Sequence, residues 1–377
     1  MVPDATTVAR LEALELRRIA VPMKTPFRTS FGTQQDRDIL LVKATTSDGE
    51  GWGECVAMSS PIYSSEYIDG AQQVIGSFLA PLLFSEASII AARVSECLAP
   101  IKGHRMAKAA IEMAILDAEL RAAGRSLAHF LGGVRGLVDT GVSVGIHDDI
   151  GELLDTVAGY IEEGYMRIKL KIEPGIDIDH VRAVREKFGP DLLLQVDANT
   201  AYQLSDARHL AQLDEYDLLL IEQPLPEEEV RAHAELASKL STPICLDESI
   251  TSAQAADDAI ALGACSIVNI KAGRVGGYLE AKSIHDLCAG RGVPVWCGGM
   301  LETGIGRAAN VALASLPNFT LPGDTSASDR YWEEDITEPF VLEDGRIRVP
   351  TGPGLGVEPI PEILDKVTTA VETIGAS

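Results

Sequence analysis

The chain has 377 residues, of which 46% are hydrophobic, and this allows a large buried core and more than one average domain. Its formal net charge of −24 argues against nucleic acid as a partner, because polyanions require a basic surface. No lysine- or arginine-rich segment suggests an anionic membrane surface, and no apolar run approaches the roughly 18–20 residues that span a bilayer.

The cysteines and the N-terminal segment predict a cytoplasmic protein. Six cysteines are spread along the chain without a CxxC pair or a dense framework, so we expect reduced thiols in the core. The first 30 residues contain Asp4, Glu12 and Glu15 and lack the continuous apolar stretch of a secretion signal.

Residues 1–133 are predicted to form an α+β capping domain. The segments ALELRRIAVPM and DILLVKATTSDGEGWGE have the composition of strands, and a turn at Asp48–Gly49 indicates a hairpin. Helical spacing follows from about residue 65 to residue 125, where MAKAAIEMAILDAELRAAG is typical of an amphipathic helix.

Residues 134–329 are predicted to form an α/β domain, a (β/α)8-type barrel. Eight β-rich runs alternate with helical segments: TGVSVGI, RIKLKI, LLLQVDAN, LLLIEQP, PICLDES, SIVNIKA, VPVWCGG and a weaker FTLPGD. An open doubly wound sheet is the alternative, but the count of eight favours a closed, TIM-like barrel. Residues 330–377 form a C-terminal segment, in which we expect the strand-like FVLEDGRIRVP to return to the capping domain.

Five ionisable residues occupy matching places in successive barrel units. Lys171, Asp197, Glu222, Asp247 and Lys271 are separated by 26, 25, 25 and 24 residues, and each lies late in its strand. Because the carboxyl ends of barrel strands meet on one face, these side chains should point into a common space. One aspartate there could simply cap a helix, but five unpartnered charges in a row would be costly without a function.

The carboxylates of Asp197, Glu222 and Asp247 predict a metal site. Oxygen ligands without histidine or cysteine suit Mg2+, Mn2+ would fit nearly as well, and zinc is disfavoured. A divalent cation would offset the repulsion among three neighbouring carboxylates.

Three lysines add the groups that proton transfer requires. Lys169 and Lys171 are two residues apart on one strand, so their side chains share a face. A neighbouring ammonium group and partial desolvation lower the pKa of a lysine and make it a usable base. Lys271 comes from the sixth strand, so two lysines could act on opposite faces of one α-carbon. With a metal, this set suits removal of a proton next to a carboxylate through an enediolate.

These motifs resemble the enolase superfamily, in the muconate-lactonizing-enzyme subgroup, over nearly the whole chain. The resemblance implies that Lys171 and Lys271 are the acid/base pair and that Lys169 assists the base. It further implies three metal ligands, Asp197, Glu222 and Asp247. It also implies that Asn199 faces the metal or the substrate. Because family members are often dimers or octamers, it implies a homo-oligomer.

Three further segments resemble the o-succinylbenzoate synthase branch of that subgroup, including its N-succinylamino acid racemase members: PFRTSFG, VWCGGMLETGIGRAAN and LPGDTSASDRYW. The resemblance implies a carbon–oxygen lyase that dehydrates 2-succinyl-6-hydroxy-2,4-cyclohexadiene-1-carboxylate in menaquinone biosynthesis and that also racemises N-succinylamino acids. Arg274, in KAGRVGG, resembles an arginine of members with racemase activity. It could help keep Lys271 in its reactive range, or it could be a solvated loop residue.

Other functions stay open. N-acylamino acid racemisation as the main activity and muconate cycloisomerisation would use the same lysines. The lysine in NIK argues against a mandelate-racemase-like histidine–aspartate dyad, and CGGMLE lacks the acidic pair of dipeptide epimerases. A non-catalytic small-molecule binder is the alternative from another class, but it would not need desolvated lysines.

We expect substrate contacts from the capping domain and from the strand ends. Apolar walls that include Phe31 and Tyr63 would suit a cyclohexadiene ring or a hydrophobic side chain, although such residues could equally pack the domain interface. The glycine pair at 298–299 would let the backbone approach a ligand. The candidate contacts are Phe27, Met58, Ser143, Asn199, Arg274, Gly299 and Met300.

Overall fold

The computed structural model describes residues 9–375. The strands in this range are β1 (Leu11–Thr29), β2 (Gly32–Thr46), β3 (Gly49–Cys55), β4 (Leu137–Asp139), β5 (Gly141–Val144), β6 (Arg167–Lys171), β7 (Leu193–Asp197), β8 (Ile221–Glu222), β9 (Ile244–Leu246), β10 (Ile267–Ile270), β11 (Val295–Cys297), β12 (Leu342–Glu343), β13 (Arg346–Arg348) and β14 (Thr368–Gly375).

The α-helices are α1 (Ile68–Val74), α2 (Ala80–Phe84), α3 (Ala91–Leu98), α4 (Arg105–Ala122), α5 (Leu127–Leu131), α6 (Ile150–Glu163), α7 (Asp177–Phe188), α8 (Ala207–Leu210), α9 (Val230–Ala237), α10 (Ala253–Ala261), α11 (Ala272–Val275), α12 (Tyr278–Arg291), α13 (Gly304–Ala314) and α14 (Pro361–Val367). A π-helical turn follows α1, and short 3₁₀ turns flank α8 and precede β12: Ile75–Leu79, Leu204–Asp206, Ala211–Tyr216 and Ser328–Arg330.

A four-stranded antiparallel sheet of order β14–β1–β2–β3 forms the capping part of the molecule. The predicted hairpin is confirmed, since β2 and β3 pair with Thr46 opposite Gly49 across a two-residue turn. The last strand, β14, pairs with β1 from Ala13 onward and covers what would otherwise be an exposed sheet edge.

Helix α4 is buried on nearly all sides, so the prediction of an amphipathic helix is wrong. On one side, a Cβ atom on Gly53 of β3 would lie only 2.0 Å from the carbonyl oxygen of Ala110. On the other side, Glu112 accepts hydrogen bonds from the backbone N–H groups of Tyr278 and Leu279 in α12. Because α4 lies between the capping sheet and the barrel, it has no face that is left to water.

A seven-stranded parallel sheet, β5 to β11 in sequential order, forms most of the barrel. Its register aligns the strand ends, with Lys171 opposite Asp197 and Asp197 opposite Glu222. The β-rich runs predicted as the first seven strands all contain one of these strands. Their ends therefore meet at one edge, as parallel packing requires.

The barrel is closed by residues 319–324, which do not form a regular strand. Phe319 bridges Val295 of β11, and Gly323 bridges Thr140 next to β5, both in parallel orientation. The eighth predicted run thus joins the two edges of the seven-stranded sheet. The prediction of a (β/α)8-type barrel rather than an open sheet is confirmed.

The strands that follow the barrel form a third sheet of order β12–β13–β4. Ile347 of β13 lies opposite Val138 of β4, immediately before the first barrel strand. FVLEDGRIRVP therefore pairs next to the barrel, contrary to expectation, whereas the C-terminal segment returns to the capping sheet through β14. In β13, buried Ile347 alternates with exposed Arg346 and Arg348. The small sheet therefore contributes a single apolar side chain from β13 to the interior, just before the start of β5.

The described cysteines are all free thiols, and each except Cys97 is buried. Within residues 9–375, no helix combines the length and apolar character that crossing a lipid bilayer requires.

Candidate active site

A pocket of about 580 Å³ lies where the carboxyl ends of the barrel strands meet the capping domain. Most of the residues predicted from the sequence line it: Phe27, Phe31, Met58, Tyr63, Ser143, Lys169, Lys171, Asn199, Lys271, Gly299 and Met300. The same wall contains residues that the sequence did not single out: Thr29, Gln34, Arg37, Leu301, Glu302, Asp324 and Tyr331.

Lys169 is held as a cation by three carboxylates and an aromatic ring. Its Nζ lies 2.6 Å from Asp324 Oδ2, 3.2 Å from Glu222 Oε2 and 3.4 Å from Asp197 Oδ2. The ring of Trp296 lies 4.8 Å from the same atom. Burial lowers the pKa of Lys169, but these carboxylates outweigh it and the pKa is raised above its ordinary value. Lys169 is therefore a fixed positive charge rather than a base.

Lys171 has the opposite balance. Its Nζ lies 2.5 Å from Asp197 Oδ2 and 2.7 Å from Asn199 Oδ1. Burial and the charge of Lys169 lower the pKa of Lys171, and the carboxylates of Asp197 and Glu222 do not compensate. This arrangement favours the neutral amine that a base requires.

Lys271 reaches the pocket from the residue after β10. Its Nζ donates hydrogen bonds to Asp247 Oδ2, at 2.8 Å, and to Tyr63 Oη, at 3.2 Å. Burial lowers its pKa, but Tyr63 and the carboxylates of Glu248 and Glu222 reverse the effect, and the pKa is raised. The pKa values of Lys171 and Lys271 thus shift in opposite directions, downward for Lys171 and upward for Lys271.

The three predicted metal ligands are buried behind the lysines. Asp197, Glu222 and Asp247 have exposed fractions of 0–1% and do not line the pocket. Burial raises the pKa of Glu222, and the adjacent charge of Asp197 raises it further. Asn269 Nδ2 donates to Glu222 Oε1 at 2.6 Å. A cation would relieve this crowding of negative charge.

The carboxylate set suits a hard divalent cation, and one buried atom adds to this fit. Glu248 Oε2 has no hydrogen-bond partner among the described residues, and burial raises the pKa of that carboxyl to about 7. However, no three acidic, histidine or cysteine side chains in residues 9–375 are arranged as a complete metal cage. Ammonium groups of Lys169 and Lys271 lie against the carboxylate oxygens.

Arg274 is buried, with an exposed fraction of 5%, so its interpretation as a solvated loop residue is wrong. Its Nε donates to the carbonyl oxygen of Ile250 and its Nη2 to that of Asn269, both at 2.8 Å. Its Nη1 forms an ion pair with Asp247. Arg274 therefore lies behind Asp247 rather than on the pocket wall, and the pKa of Lys271 is raised rather than lowered.

Gly298 has a different role from the one expected. A Cβ atom there would lie 2.3 Å from Asn269 Oδ1 and 2.8 Å from Lys271 Cε. The glycine therefore makes room for the Lys271 side chain, whereas Gly299, its neighbour, lines the pocket.

Four of the polar residues that were missed or misread from the sequence bond to the lysines, to Asn199 or to Glu222. Asp324 ends the eighth β-rich run, in the same late position as the five residues that were found, so its place in the repeat was the available signal. Tyr63 was expected as an apolar wall, yet its hydroxyl contacts Lys271 and Asp247. For Glu248 and Asn269 the sequence contains no signal, because only tertiary packing brings them to Asn199 and Glu222.

The chain is similar to known proteins over nearly all of its length. Residues 152–363 match the family described as enolase C-terminal domain-like, and residues 13–132 match the mandelate racemase / muconate lactonizing enzyme N-terminal domain. An N-succinylamino acid racemase from Amycolatopsis sp is 67% identical over 97% of this chain and 100% of that protein. An o-succinylbenzoate synthase from Geobacillus kaustophilus is 50% identical over 92% of this chain and 93% of that protein. A solved enolase superfamily member from Listeria innocua has a TM-score of 0.94 at 40% identity, covering 98% of this chain and 100% of that one.

Proposed function

Since the chain belongs to the mandelate racemase / muconate lactonizing enzyme family of the enolase superfamily, we propose that it removes a proton next to a carboxylate. The observation that carries the proposal is the pair Lys171 and Lys271, which line one pocket and whose pKa values shift in opposite directions. A neutral amine and an ammonium group at one carbon are what proton removal and proton return require.

Lys171 is the proposed base. Its Nζ takes the α-proton, and the electron pair of the broken C–H bond moves into the substrate carboxylate to give an enediolate. Lys169 and Lys271 contribute positive charge where this negative charge develops. Asn199 and Asp197 hold the Lys171 amine through their contacts at 2.7 Å and 2.5 Å.

The fate of the enediolate distinguishes two reactions. In dehydration, Lys171 returns its proton to the departing hydroxyl, which leaves as water, while Lys271 remains a charge-stabilising ammonium group. In racemisation, Lys271 delivers a proton to the opposite face of the α-carbon and becomes neutral, while Lys171 keeps the proton that it removed. Both reactions share the first step.

Asp197, Glu222 and Asp247 are the proposed ligands of a divalent cation, with Mg2+ the best fit to an all-oxygen set and Mn2+ close to it. When bound, the cation supplies positive charge beside the substrate carboxylate. Its binding requires the ammonium groups now paired with these carboxylates to yield some of those contacts. The burial of all three carboxylates supports the assignment.

We propose o-succinylbenzoate synthase, the dehydration of 2-succinyl-6-hydroxy-2,4-cyclohexadiene-1-carboxylate in menaquinone biosynthesis, together with N-succinylamino acid racemase activity. Among relatives at 45–67% identity, some are named o-succinylbenzoate synthase and others N-succinylamino acid racemase. This supports a site able to perform both reactions. We further propose a cytoplasmic homo-oligomer that acts on a small-molecule carboxylate.

A second candidate is N-acylamino acid racemase as the main activity. The 67% identity to an N-succinylamino acid racemase favours it. A muconate cycloisomerase would use the same lysines for proton transfer. A non-catalytic binder would use the pocket but would need no proton transfer by the lysines.

Steady-state kinetics on one enzyme preparation separates these candidates. The cyclohexadiene substrate, an N-succinylamino acid and cis,cis-muconate are compared by kcat/KM with Mg2+ and after chelation. We expect turnover of the first two, loss on chelation and recovery with added Mg2+. Turnover of muconate alone would replace the proposal by the cycloisomerase, and no turnover of any substrate would leave the binder.

A further inference from the structure

Arg37 of β2 is a buried cation without a hydrogen-bond partner. Its exposed fraction is 2%, and its Nε and Nη2 atoms have no acceptor among the described residues. A guanidinium group has five N–H donors, and leaving them unsatisfied in the interior is costly. The cost suggests that an acceptor is supplied from outside the chain.

The buried carboxylates of Glu54 and Glu302 act electrostatically on Arg37, yet their oxygens are bonded elsewhere. Glu54 accepts hydrogen bonds from Thr303 and from the N–H group of Gly306. Glu302 accepts from Asn310 Nδ2, at 2.9 Å, and from the N–H group of Met300, at 2.9 Å. These carboxylates balance the charge of Arg37 without satisfying its donors.

Arg37 lines the same pocket as the two proton-transfer lysines. It lies on the capping-domain wall, together with Gln34 and Met58, whereas the lysines lie on the barrel wall. A substrate with one carboxylate at the lysines could therefore present a second anionic group to the capping-domain wall.

We propose that Arg37 binds the distal carboxylate of a dicarboxylate substrate and so selects succinyl over neutral acyl groups. A planar guanidinium matches a carboxylate through two parallel hydrogen bonds. The inference rests on the proposed function, because it takes the first carboxylate to be the one next to the reacting carbon.

The test compares an N-succinylamino acid with its N-succinamoyl analogue, in which the distal carboxylate is replaced by a neutral amide of the same shape. We expect the wild-type enzyme to favour the acid by roughly 10- to 100-fold in kcat/KM, the range of a charge-assisted contact. Arg37→Gln should lose this preference. Its kcat/KM for the acid should fall, whereas its kcat/KM for the amide should stay within about threefold of the wild-type value.

Two variants make the comparison specific. Arg28→Gln removes a cation from the neighbouring strand of the same sheet, where Arg28 contacts Asp148 and Glu173 outside this pocket, and it should keep the preference. Arg37→Lys keeps the charge between Glu54 and Glu302 but not the planar fork, so it should keep only part of the preference. Arg37→Lys also provides a result if Arg37→Gln fails to fold.

Equilibrium binding provides a readout that does not depend on turnover. Calorimetry should give roughly 10- to 100-fold tighter binding of o-succinylbenzoate than of its distal amide to wild type, and a smaller ratio for Arg37→Lys. Equal losses for acid and amide in the Arg37 variants, or no wild-type preference in either assay, would overturn the proposal. Absence of turnover with a preserved binding preference would instead refute the proposed reaction and leave the role of Arg37 intact.

Discussion

At the scale of residues, Lys171 and Lys271 differ because of the groups around them. Lys171 has a cationic neighbour, Lys169, and shares its carboxylate with that neighbour. Lys271 has Asp247 and Tyr63 as direct partners. The opposite shifts of the two pKa values follow from these neighbours.

Gly298→Ala tests how closely the position of Lys271 is controlled. The new methyl group would meet Asn269 and Lys271, and a displacement of about 1 Å at a reacting group costs on the order of 100-fold in rate. We expect kcat/KM to fall by about that factor, measured with the N-succinylamino acid. Gly290→Ala is the matched control, since nothing lies within 4 Å of the added atom, and it should leave kcat/KM unchanged. Equal activity of the two variants would contradict this role of Gly298.

At the scale of elements, the sequence was informative where the chemistry repeats with the strands. The spacing from Lys171 to Lys271 reflects one strand–helix unit per step, so these residues and seven strands could be located. The eighth segment could not be described fully, because it joins its neighbours only through bridges at Phe319 and Gly323. Arg274 and Arg37 could not be interpreted either, since their burial depends on how the capping domain and the barrel pack.

Glu112 links helix α4 to the start of α12 and should make stability depend on pH. Burial raises the pKa of Glu112 from 4.5 to about 7. Because the folded protein binds the Glu112 proton more tightly than the unfolded chain does, Glu112 contributes fully to the free energy of unfolding below pH 4.5. This contribution is lost as the pH rises through 7. The free energy of unfolding should therefore fall across this window by up to roughly 1.4 kcal/mol per pH unit from this group.

Glu112→Gln removes this titration but keeps one oxygen for the N–H groups of Tyr278 and Leu279, both of which bond to Oε1. Urea unfolding at several pH values between 5 and 8 should give a shallower slope for the variant than for wild type. Identical slopes would show that Glu112 does not titrate in this range.

At the scale of the whole molecule, the proposed metal site consists of three buried carboxylates from neighbouring strand–helix units, and a bound cation should stabilise the entire barrel. A ligand present at 100 times its Kd adds about 2.7 kcal/mol to the free energy of unfolding. We therefore expect Mg2+ to raise the Tm of wild type measured by calorimetry.

Asp247→Asn should reduce the shift in Tm and raise the Mg2+ concentration needed for activity. Asp155→Asn, at a side chain that is 88% exposed, is the matched control and should behave as wild type. An equal shift in the two variants would exclude Asp247 as a ligand.

Hydrogen exchange in deuterated water tests whether Lys171 and Lys271 act on opposite faces of one α-carbon. Each enantiomer of an N-succinylamino acid is incubated with Mg2+ and with wild type, Lys171→Ala or Lys271→Ala, and α-deuterium is measured by NMR. Wild type should exchange the α-hydrogen of both enantiomers. Each variant should lose racemisation. Each should also lose exchange of one enantiomer, and this enantiomer should differ between the two variants. Racemisation by either variant, or loss of the same enantiomer's exchange in both, would contradict the account.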